Sequence, residues 1–164
     1  MRTIGLAVAA LALTACGAAS VHESSPATSA SVKQAAADYL AMTKPINAAI
    51  QTLASATGAL SPSMSSIAKA CESVSVQAGH FHDAIAAHHW PAQVGALAVE
   101  MEGAVRGQQA AAHRCSLNAG NERAMIADID ALFSPTWRAI DTRWRNALGL
   151  PKSSHVDGSP TVAT

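Results

Sequence analysis

Apolar side chains recur at steps of three and four residues through most of the chain, the period of a helix with one buried face. The first stripe runs Tyr39, Met42, Ile46, Ile50, Leu53, Thr57 and Leu60. Pro45 falls inside it, where a proline removes one helical hydrogen bond and crowds the preceding turn. The stripe keeps its phase across Pro45, so a kinked helix is expected rather than a fresh start capped by Thr43. The second stripe is Ile67, Cys71, Val74, Ala78, Phe81 and Ile85. Ser61 is its expected N-cap, with Pro62 at the first helical position. The third follows His88-His89-Trp90-Pro91 and runs Val94, Leu97, Ala98, Met101, Ala104, Val105, Ala112 and Cys115. Gly95, Gly103 and Gly107 weaken that helix by up to about 1 kcal/mol each against alanine, unless they admit a close neighbour. The fourth begins near Asn121 and carries Ile126, Ile129, Phe133, Trp137, Ile140, Trp144 and Leu148. Ser134-Pro135 marks a kink or a restart within it, and Gly149 with Pro151 supplies a stop in the expected C-terminal order.

Amphipathic helices joined by short connections predict an all-α fold, an up-down-up-down four-helix bundle over residues 32–151. Composition agrees and adds one feature. The chain is 49% hydrophobic but only 4% aromatic, and alanine supplies much of the difference. Alanine is the best helix former and buries little area, so close-packed helices around a thin core are expected. Residues 16–31 are rich in Ala, Ser and Thr with no apolar period, as in a flexible linker. The polar stretch 152–164 is expected to be a disordered tail.

The first fifteen residues have a different character. Arg2 precedes the apolar run Ile4 to Leu13, too short for the roughly 20 residues that a membrane span needs. Residues 1–15 therefore form a signal peptide by pattern. Leu13-Thr14-Ala15-Cys16 resembles the lipobox of bacterial lipoproteins. That resemblance implies a diacylglyceryl group on the Cys16 sulfur, cleavage before it, and acylation of the new N-terminus, palmitate being a typical chain. Two or more acyl chains meet the requirement for stable anchoring. The expected location is the extracytoplasmic face of the cell membrane, and the expected partner there is the membrane itself.

Eleven basic and eleven acidic residues cancel, and charged residues are only 13% of the chain. Nucleic-acid binding needs a basic patch to displace counterions, so that class is set aside. Cys71 and Cys115 form an even pair in an exported context, where disulfides persist. Both lie on apolar stripes and are expected to bridge, the alternative being two buried thiols packed as small hydrophobes. A symmetric hairpin turning near His89 would set Cys71 opposite roughly residue 108, about two turns short of Cys115. Helix offset or tilt must close that gap.

From residue 32 to 151 the chain resembles the small alanine-rich helical lipoproteins and secreted proteins of actinobacteria. The resemblance rests on Ala37-Asp38-Tyr39-Leu40, on Pro45-Ile46-Asn47-Ala48-Ala49, on the Cys71 and Cys115 pair, and on Trp90-Pro91 and Leu148-Gly149-Leu150-Pro151. It implies an envelope location and supplies no activity.

Candidate chemistry is sparse. His80, His82, His88 and His89 cluster beside Asp83, with His113 on the next helix, and imidazole is a common metal ligand. None of the four has a partner at the three- or four-residue spacing of a helical chelate, and no His-Glu-x-x-His motif is present. Histidines at a helix C-terminus also complement its dipole. No Gly-x-Ser-x-Gly elbow or phosphate-binding loop occurs, Glu100 and Glu102 lie too far around the helix to pair, and no catalytic residues are assigned. Trp137 and Trp144 share a face that suits a core or a small-molecule pocket. Arg138, Arg143 and Arg145 suit lipid phosphates or a solvated face. The pattern as a whole points to a membrane-anchored envelope lipoprotein acting as a non-enzymatic binding or interaction module, with an envelope protein as partner. Metal or small hydrophobic ligand capture, by the histidines or the bundle interior, is the alternative; no cofactor beyond the covalent lipid is expected.

Overall fold

The computed structural model describes residues 26–152. The segment read as a signal peptide, Cys16, the first part of the stretch read as a linker and the residues beyond Lys152 lie outside the described residues. Within them the chain forms α1 (Pro26–Thr57), α2 (Met64–Ala87), α3 (Ala92–Leu117), α4 (Glu122–Leu132) and α5 (Pro135–Ala147). Successive helices pack antiparallel as a four-helix bundle whose fourth arm is split into α4 and α5. The described residues contain no strand.

α1 starts at Pro26, inside the stretch read as linker, rather than at residue 32. From there the sequence carries alanine, serine and threonine without glycine, and proline suits a first helical turn. The helix runs unbroken through Pro45, which is exposed, as is Ala41, whose carbonyl loses its partner to the proline. Thr43 caps nothing; its hydroxyl returns to the Leu40 carbonyl at 3.1 Å. α1 ends at Thr57, so Leu60 leaves the stripe and is fully exposed.

The start of α2 is displaced from the expected position. Ser63, not Ser61, is the N-cap, and its hydroxyl accepts from the Ser66 amide. Every residue of the predicted α2 stripe is buried. Asn121 caps α4 by accepting from the Ala124 amide, and Ser134 caps a restarted α5 by accepting from Trp137, with Pro135 at its first position. Ile129, Ile140, Trp144 and Leu148 of the expected stripe are buried, and two places ahead of the restart move by one residue. Met125 and Leu132 take the fully buried places, while Ile126 and Phe133 are half-buried. α5 ends in a Schellman turn: Leu150 N–H reaches Arg145 O at 2.8 Å and Gly149 N–H reaches Asn146 O at 3.1 Å. Gly149 sits at φ 67°, where a side chain would be strained.

The Cys71–Cys115 bridge is formed, with Cα atoms 5.8 Å apart, an ordinary separation. The register between α2 and α3 explains how. Ser75 Oγ donates to Gln109 O and Arg106 donates to His82, so α2 residues face α3 residues further along than a symmetric hairpin allows. Roughly the first two turns of α3 therefore project beyond the end of α2. His88 and Pro91 are extended, at ψ 140° and 148°, and extended backbone climbs about twice as fast per residue as helix. Trp90 Nε1–H pins the loop by donating to Ile85 O at 2.9 Å.

The offset yields two core layers. One, built around Tyr39, Phe81, Ile85, Met101, Val105, Ile140 and Trp144, joins the projecting start of α3 to α1, the end of α2, and α5. The other, around Leu53, Ile67, Val74, Met125, Ile129, Leu132 and the disulfide, joins the end of α1 to α4. The second layer contains no fully buried aromatic side chain.

Candidate functional site

The four clustered histidines, two on α2 and two just past its end, diverge. His80 and His89 are exposed. His82 Nε2 accepts from Arg106 at 2.9 Å, which puts its ring proton on Nδ1, donating to Asp83 Oδ1 at 3.0 Å. His88 faces Asp38 of α1 at 3.6 Å and lies against the Trp90 ring, centroids 4.1 Å apart. Among the described residues, no group of three or more His, Cys, Asp or Glu side chains is placed to hold a metal ion. The sequence cluster is thus an adjacency along the chain and not a convergence in space.

The arginines of α5 also separate. Arg143 pairs with Glu100 of α3. Arg145 is mostly buried, 3.4 Å from Asp141 Oδ2 without hydrogen-bond alignment at Nε, while its Nη1 donates to the Pro151 carbonyl at 3.1 Å. The two point to different neighbours and do not form a common basic face.

Sequence reasoning missed a buried polar group in the upper core. Tyr39 Oη–H donates to Asp141 Oδ1 at 3.0 Å, linking α1 to α5 across the bundle. Asp141 in turn holds Arg145 one turn away. Burial, and then the neighbouring carboxylate, pushes the Tyr39 hydroxyl well above its ordinary value of 10.0, so it stays neutral and donates. Aromatic rings enclose the group: Tyr39 tilts on Phe81 and Trp144, and Trp90 meets Trp144 edge-on at 4.8 Å. Tyr39 sat on the apolar stripe, but the spacing of Asp141 and Arg145 resembles any exposed i,i+4 pair. No signal marked them as buried.

A second feature lies at the waist, between the two core layers. Where α4 stops and α5 restarts, the fourth arm stands off from α3 and leaves a cleft of about 230 Å³. Gly103, Gly107 and Gln108 of α3 form one wall, with Leu132, Ser134 and Trp137 opposite. A Cβ built on Gly103 or Gly107 would meet nothing within 4 Å, so neither glycine serves close helix packing. Gln108 is 3% exposed and donates from Nε2 to Leu132 O at 3.3 Å, the last carbonyl of α4. Its own carbonyl, Oε1, is buried without a hydrogen-bond partner. Trp137, read from sequence as core or pocket wall, is half-buried at this cleft, whereas Trp144 is wholly core.

Comparison of the chain with protein-family models, with curated proteins and with solved structures returns no match.

Proposed function

We propose that the chain is a cell-envelope lipoprotein, held at the outer face of the membrane through a lipid on Cys16, whose bundle binds a partner or ligand without covalent chemistry. The observation that carries this reading is the pairing of two independent export signatures. The lipobox-like Leu13-Thr14-Ala15-Cys16 stands at the end of a short apolar run. A disulfide joins Cys71 to Cys115 in the core, a bond suited to an oxidising compartment. No helix of the described residues is long and apolar enough to cross a membrane, so the lipid would supply the attachment.

Support for binding rather than catalysis comes from how the polar groups are used. Tyr39 donates to Asp141 in the core and Asp141 pairs with Arg145, while Glu100, Asp128 and Asp83 are engaged with Arg143, Arg114 and His82. Metal capture draws no support from the geometry, since Arg106 brings its own positive charge to His82.

The test is metabolic labelling with a palmitate analogue in a host that processes lipoproteins. The native chain should take up label and sediment with membranes, and Cys16→Ala should do neither. Absence of label on the native chain would overturn the anchoring. Crosslinking from the membrane-bound form should yield specific envelope partners, and a pattern no richer than that of an unrelated lipoprotein would count against a protein partner.

A further inference from the structure

We draw no further inference here: the strongest candidate, the exposed apolar end of the bundle with Leu60 in the α1–α2 turn and Leu117 at the end of α3, carries nothing because nothing in the structure shows what covers it.

Discussion

Tyr39 is the chain's only tyrosine, and it makes a hydrogen bond to a buried carboxylate with its ring against Phe81 and Trp144. That arrangement ties stability to pH with a definite sign. The folded state holds the phenol proton above the value near 10 at which the unfolded chain releases it. In alkali the unfolded state therefore binds fewer protons, and stability falls as pH rises. The contribution is fully present below pH 10 and lost above it, at up to about 1.4 kcal/mol per pH unit from this group. Because no other tyrosine contributes, the tyrosinate absorbance near 295 nm should be missing from the folded protein at about pH 11 and appear together with unfolding. A tyrosinate band that rises at about pH 10 while helical circular dichroism is unchanged would contradict the buried geometry. Tyr39→Phe should cost about 2 kcal/mol at neutral pH, the worth of a hydrogen bond to a charged acceptor, and should flatten the alkaline limb of the stability curve.

Helix boundaries obey local chemistry more closely than they obey the apolar stripe. Asn121, Ser134 and the Gly149 turn act where their residue types place them, because each satisfies backbone groups from within a few residues. Ser61 and Ser63 carry the same hydroxyl two positions apart, and it is the Ser63 hydroxyl that accepts from the Ser66 amide. The split of the fourth arm was legible as Ser134-Pro135, but its consequence was not. Moving Met125 and Leu132 inward in place of Ile126 and Phe133 depends on how far α4 stands from α1 and α3, a tertiary quantity. The waist cleft and the Gln108 carbonyl were hidden for the same reason, since both arise only once the restart faces the glycines. Two substitutions separate local from tertiary control. Ser134→Ala removes the cap of α5 and should lower stability by about 1 kcal/mol in a urea melt. Gly107→Ala adds a helix-favouring side chain in open space and should raise stability by about 0.5–1 kcal/mol. A loss of stability in Gly107→Ala would mean that α3 meets a neighbour more closely there than the open wall allows.

Over the whole molecule, the two core layers are stabilised by different means. The upper layer has aromatic area and a buried polar group, and the rings of Trp90, Trp137 and Trp144 all pack in or against it. The lower layer has alanine, Ile, Met and Leu, which bury less area per residue, together with the disulfide. Closing a loop across the 44-residue separation removes chain entropy from the unfolded state worth about 4 kcal/mol in the loop model. That is a large share of the 5–15 kcal/mol typical of a whole domain. The dependence on the bond should therefore be uneven. The double variant Cys71→Ala with Cys115→Ala should raise hydrogen exchange first in α4 and the end of α1, which close the lower layer. Tryptophan emission, reporting on the upper layer, should stay native until a higher denaturant concentration than the exchange-sensitive half. The offset of α2 and α3 gives the physical reason, because the projecting start of α3 joins α1 and α5 without involving the disulfide-bearing turns. Coincident loss of both signals would show instead that the waist transmits the damage and that the bundle unfolds as one unit.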